Sequence, residues 1–301
     1  MKDLQYFKTH PKIDAHNHLN LGMRYSSYLL WSGLPIPDFP RKMNGLDDMH
    51  DIITKYTRPR CKTGDDVISL IDMSIRDAIA DGVTVLEGSI DIGFVVHFKK
   101  DLDKFLEMVS DFTEKYRDKI DIRPELGMGK TFDKSKIAKW APILLDSKIF
   151  RSIDLYGPEV EDGIEEFKSI FAQAERLGLK KRAHVGEFSD ATSVRRFVEY
   201  FDLHEVQHGI GAASDESVLR FLADRKIRCN VCPQSNVILG AVPSLKAHPV
   251  KKMLNAGVPV TIGTDDLLFF GSTVAEQIFD LLSNDVITEA EAEILVCEGV
   301  Q

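Results

Sequence analysis

The stretch Ile13-Asp14-Ala15-His16-Asn17-His18 opens on a short apolar run and ends on two histidines one residue apart. Side-chain direction on a strand repeats every two residues, so His16 and His18 project to the same side. Two imidazoles on one face can share a divalent metal such as zinc. A His-x-His also arises by chance on protein surfaces. Its weight therefore depends on what the rest of the chain brings to the same place.

Outward from this strand, apolar β-branched runs recur at 12–16, 83–89, 122–127, 150–155, 181–185, 205–208, 227–231 and 259–263. The segments between them carry helical periodicity. Val67, Ile71, Ile75 and Ala78 make one stripe; Leu102, Phe105, Leu106, Val109 and Phe112 make the next. Ile164, Phe167, Phe171 and Ala174 repeat the pattern, with Gly178 placed to cap that helix. Val194, Phe197, Val198 and Phe201 follow, then Val218, Leu219 and Leu222, and Thr288 with Glu291 forms a capping box for a last helix. Core packing accounts for all of these stripes. Eight strand–helix alternations without a low-complexity linker predict an α/β chain folded as one (β/α)8 TIM barrel over residues 1–301.

One connection is too long. An ordinary βα unit needs about half the residues that separate His18 from the second strand. The excess, 19–66, carries Pro35, Pro37, Pro40 and Pro59 with Tyr25, Tyr28, Leu29, Leu30, Trp31 and Phe39. It leaves from the C-terminal end of the first strand, which is the catalytic face of such a barrel, and is expected to form an apolar lid.

The formal charge of −9 argues against non-specific nucleic-acid binding and against an anionic membrane surface. No basic-then-apolar leader and no long apolar run is evident, so a cytoplasmic protein acting on a small molecule is expected. Cys61, Cys229, Cys232 and Cys297 do not make a disulfide framework in so long a chain. Cys229 and Cys232 fall in a stretch that reads as a strand, where an i, i+3 pair points to opposite faces, so they are taken as structural.

The chemical residues gather at strand ends. The fifth strand ends in Ala183-His184-Val185-Gly186-Glu187, the sixth in His208-Gly209, and the eighth in Ile262-Gly263-Thr264-Asp265-Asp266. Three imidazoles and a carboxylate can thus converge on one cation, with Asp265 as the anionic ligand and a position left for water. His10, His50, His97, His204 and His248 are read as surface or loop residues; His50 stands out because it lies in the insertion.

At these residues the chain resembles the adenosine deaminase-like branch of the metal-dependent amidohydrolase superfamily. The matching pieces are Asp14-Ala15-His16-Asn17-His18-Leu19, Ile153-Asp154-Leu155-Tyr156-Gly157-Pro158-Glu159, His184-Val185-Gly186-Glu187, His208-Gly209, Cys232-Pro233-Gln234-Ser235-Asn236 and Thr264-Asp265-Asp266. The resemblance implies one zinc, or another divalent transition metal, held by His16, His18, His184 and Asp265. The fourth strand offers no lysine for a second metal's carbamate bridge. His208 would orient or deprotonate the attacking water, and Glu187 would act as the general acid toward the ring. Asp266 would share a proton with a ring nitrogen, and the Gly157 N–H would donate to another. The implied activity is hydrolytic deamination of an adenosine- or adenine-like aminopurine, with release of ammonia.

The departures bear on the substrate. Adenosine deaminases carry an aspartate, and adenine-type relatives a glutamate, shortly after the His-x-His-Leu; this chain has Asn20, then Leu21 and Gly22. Tyr156 stands beside Gly157 where a small residue is common, which narrows the pocket or stacks on the ring. Two alternatives remain open at this stage: a metal-dependent hydrolase of a different amino-heterocycle, and a barrel that binds a metabolite without turning it over.

Overall fold

The computed structural model describes residues 2–33, 36–159 and 162–298; Pro35 of the insertion lies outside them. Parallel strands run in chain order: β1 Lys12–His18, β2 Val83–Asp91, β3 in two pieces, β4 Ser152–Tyr156, β5 Lys180–Val185, β6 Glu205–His208, β7 Arg228–Val231 and β8 Val260–Ile262. The two pieces of β3 are Asp121–Ile122 and Glu125–Gly129, and both pair with β2. Pro124 lies between them and has no N–H to give to a ladder. The barrel closes between β8 and β1: Asp265 N–H donates to the His16 carbonyl (2.7 Å) and His18 N–H to the Asp265 carbonyl (3.3 Å). Gly263 makes this approach possible, because a Cβ there would lie 2.4 Å from the His16 Cβ.

The expected stripes face the strands. Val67, Ile71, Ile75 and Ala78 are buried on the helix Gly64–Ala80, and Phe105, Val109 and Phe112 on Leu102–Tyr116. Thr288 and Glu291 do cap Glu289–Cys297 with both bonds of a capping box. Three further helices, Lys134–Asp146, Val250–Asn255 and Val274–Ser283, complete the outer layer. No helix among the described residues is long and apolar enough to cross a membrane.

Beneath the catalytic end the lumen is ionic. The Arg182 guanidinium, buried on β5, reaches Glu125 on β3 (2.7 Å), Glu205 on β6 (2.7 Å) and Glu87 on β2. Arg228 on β7 bonds Glu87 and Glu205 in turn. Strands that are not neighbours meet this way only across the barrel axis. Branched aliphatic layers are the usual filling there. Arg182 and Arg228 hold Glu87 and Glu205 below the ordinary carboxylate range although burial opposes it, whereas burial lifts Glu125 to about 8.

The stretch after β1 carries helices Tyr25–Ser32 and Leu46–Ile52, and Gly64 already belongs to the barrel helix. Tyr28, Ile36, Met43 and Met49 form a second apolar cluster with Ile238, Leu239 and Leu268 to Phe270, from the loops after β7 and β8. The insertion is thereby fastened to the strands' C-terminal side.

Candidate active site

The ends of β1, β5, β6 and β8 surround a cavity of about 630 Å3. His16 Nε2 and His184 Nε2 lie 3.0 Å apart. His16 Nδ1 faces the Asn230 carbonyl at 3.2 Å, and His184 Nδ1 faces the Asp154 carboxylate at 3.0 and 3.2 Å. An oxygen acceptor at Nδ1 fixes the proton there, so each Nε2 presents a lone pair. Burial pushes both rings toward the neutral form, His16 to about 4. Two lone pairs at 3.0 Å repel unless a cation lies between them. His18 Nε2 and His16 Nε2 are 3.5 and 3.6 Å from Asp265 Oδ1. This donor set, three neutral imidazoles and one carboxylate, suits a divalent transition metal.

Two of these positions are bought with backbone strain. Asp265 (φ 57°) and His208 (φ 63°) occupy the left-handed region, which costs a residue other than glycine about 1–3 kcal/mol. The turn at each takes the chain off its strand just where the side chain enters the cavity. Ser235 Oγ donates to Asp265 Oδ2 at 2.6 Å and fixes the carboxylate's rotation.

Glu187 is buried, with Oε2 3.6 Å from His208 Nε2, and Asn236 Nδ2 donates to its Oε1 at 2.9 Å. Burial, then the charges of Asp265 and Glu159, push its carboxyl well above the ordinary range. Asn236 also meets His208 Nδ1 at 3.2 Å, and its Oδ1 meets His248 Nε2 at 3.2 Å. Asp266 is buried too. Its Oδ1 has no hydrogen-bond partner among the described residues, and burial with the Asp265 charge raises its carboxyl well above the usual value.

Gly157 and Asn20 line the same cavity. The need for glycine at 157 is conformational: its φ is +101°, whereas an added Cβ would meet only the Lys130 nitrogen at 3.7 Å. Tyr156 meets His18 edge-on and His184 at a tilt, with ring centroids 5.2 and 5.9 Å away.

Several expectations change here. His248 sits in a loop, as expected, but is buried there and bonded to Asn236. His50 and His97 line the cavity. Cys232 is not on the strand: β7 ends at Val231, and Cys232 opens the helix Pro233–Ile238. Both Cys229 and Cys232 are buried and unpaired, and burial raises the Cys229 thiol to about 12, which leaves it inert. Asp154, Asn236, Ser235 and His248 carry no role in the sequence reading; the first three fall in its quoted pieces, whereas His248 sits in a loop with no pattern to mark it.

Comparison with known proteins finds relatives over most of the chain. The family model for adenosine deaminase matches residues 36–294. A Treponema pallidum protein provisionally assigned as an adenosine/adenine deaminase is 58% identical over 296 residues, covering 98% of this chain and 99% of its own length. The adenine deaminase of Arthrobacter aurescens shares the fold with a TM-score of 0.82 at 21% identity, over 96% of this chain and 92% of that one. A zinc-bound amidohydrolase from Burkholderia ambifaria does so with a TM-score of 0.83 at 21% identity, over 98% and 86%. The chain belongs to the adenosine deaminase family of metal-dependent, hydrolytic deaminases.

Proposed function

We propose that the protein is a zinc-dependent aminopurine deaminase, with His16, His18, His184 and Asp265 holding one metal ion. The expected insertion 19–66, shortened to end before the barrel helix that starts at Gly64, acts as the lid of a single barrel domain. The observation that carries the reading is the pair of buried acids, Glu187 and Asp266, facing one cavity beside the imidazole cluster. A binding barrel has no use for a proton donor in that place.

A divalent metal bound there supplies Lewis acidity, which brings the pKa of a water toward neutrality. The chain's own residues do the rest. Asn236 donates to His208 Nδ1, so the neutral ring keeps its proton on Nε2 and orients the attacking oxygen by donating to it. Glu187, held protonated, gives its proton to the ring nitrogen next to the amino-bearing carbon as that carbon becomes tetrahedral. Asp266 is protonated as well, and donates from its unpartnered side to a ring nitrogen that carries no hydrogen. The Gly157 N–H donates to a third. Collapse of the tetrahedral carbon expels ammonia; the water's two protons go one to the leaving amino group and one back to Glu187, so aminopurine plus water gives oxopurine plus ammonia.

The cavity of about 630 Å3 has room for more than a bare purine, and Asn20 on its wall can bond a sugar hydroxyl. The four free cysteines accord with a reducing, cytoplasmic setting. The test is ammonia release by zinc-loaded protein over adenine, adenosine, deoxyadenosine, AMP, N6-methylated adenosines, guanine and cytosine. Turnover of one of the purines is expected; silence across the panel with metal bound would refute the reading.

A further inference from the structure

Glu159 performs none of these steps, yet four consecutive backbone N–H groups point at its carboxylate. Oε2 accepts from Gly186 (3.0 Å) and Ser189 (2.8 Å); Oε1 accepts from Glu187 (2.7 Å) and Phe188 (3.4 Å). These four residues are the turn that leaves β5 and presents Glu187 to the cavity. Successive N–H groups around one anion make a nest, and bonds to an ionised acceptor are roughly twice as strong as neutral ones. The turn also has little freedom to shift. Gly186 sits at φ +79°, where an added Cβ would lie 2.4 Å from Val194 Cγ2 and 3.3 Å from the Gly209 backbone. Ser189 Oγ closes it with a further bond to the Gly186 N–H at 3.0 Å.

The carboxylate comes from a different strand. Glu159 follows Gly157 by two residues on the loop after β4, and Glu159 and Gly157 both line the cavity. We infer that Glu159 is a positioning residue: its carboxylate ties the ring-contacting turn at Gly157 to the acid-bearing turn at Glu187 and sets the spacing between them. The inference rests on Glu187 being the proton donor to an aminopurine. A misplacement of about 1 Å can cost 100-fold in rate, so a loosened turn should show in turnover while substrate affinity persists.

The test compares wild type, E159Q and E159D, and repeats E159Q in an E187Q background, on whichever purine the wild type deaminates. Glutamine keeps the length but turns an NH2 toward two of the four N–H groups. E159Q is expected to lower kcat about 10- to 100-fold with KM within threefold and metal content unchanged. Amide hydrogen exchange at 186–189 should quicken, and E159Q should add no further loss to E187Q, because both act through one group. E159D, which keeps the charge but is one methylene short, should fall between wild type and E159Q; it carries the test if E159Q does not fold. Unchanged kcat in an active enzyme, or a loss of equal size in the E187Q background, would overturn this inference alone. A wild type silent on every purine would overturn the functional reading, and this inference with it.

Discussion

Glu187→Gln isolates the proton from the shape. The amide keeps the volume and can still accept from Asn236 Nδ2, the 2.9 Å bond that holds the side chain in place. The atom 3.6 Å from His208 Nε2 becomes an NH2, which has no acidic proton to deliver and faces an N–H. A positioned general acid contributes about 10²- to 10⁴-fold. At 1.36 kcal/mol per decade this is about 2.7–5.4 kcal/mol of transition-state stabilisation, and the opposed N–H groups favour the upper end. Burial with the Asp265 and Glu159 charges raises the carboxyl, so wild type is active with the proton on and loses activity as pH rises through that raised value. The assay is steady-state deamination from pH 5 to 10, with metal content measured on the same samples. E187Q should keep its metal, lose at least about 100-fold in kcat, and lose the alkaline limb that belongs to Glu187. A variant with full metal and kcat within threefold of wild type would refute the acid role.

Three other outcomes follow from the same geometry. Asp154→Asn should weaken metal binding about 10- to 100-fold, because the amide no longer fixes the proton on His184 Nδ1; competition against a chelating dye measures it. Asp265→Ala removes a ligand rather than its support, so its loss should exceed that range, and full occupancy after dialysis would refute the assignment. Although Arg182 reaches it, Glu125 affects stability with pH in the direction opposite to Glu205, because burial outweighs the ion pair. Its folded value of about 8 lies above its ordinary 4.5, so the stability it contributes is complete below about 4.5 and is lost as pH rises toward 8. Glu125→Gln should flatten the fall of Tm across that window, and an unchanged slope would contradict it.

The barrel was legible because its strands are buried on both faces and read as apolar runs, and its helices show one apolar stripe each. The cluster of three imidazoles and a carboxylate was legible for a related reason: His16, His18, His184 and Asp265 lie at or just beyond strand ends, and closure brings those ends together. What the pattern hid was contact between elements far apart in the chain. Arg182, Arg228, Glu87, Glu125 and Glu205 lie on five different strands, and no local pattern shows that Glu87 and Glu125 meet the two arginines across the lumen. Asn236 sits on the short helix Pro233–Ile238 and His248 in a loop, and neither stretch is long or regular enough to show a period. The left-handed turns at His208 and Asp265 fall on residues without glycine's freedom, and no turn dipeptide in the sequence marks them.

The central claim is that a metal held at this cluster is required for deamination of an aminopurine. The most direct measurement is ammonia release from adenine and adenosine by three preparations of one sample: as purified, stripped with a chelator, and restored with one equivalent of zinc. The structure predicts turnover in the first, loss of at least about 100-fold in the second, and recovery in the third. Full activity in protein shown by elemental analysis to be free of metal would contradict the account.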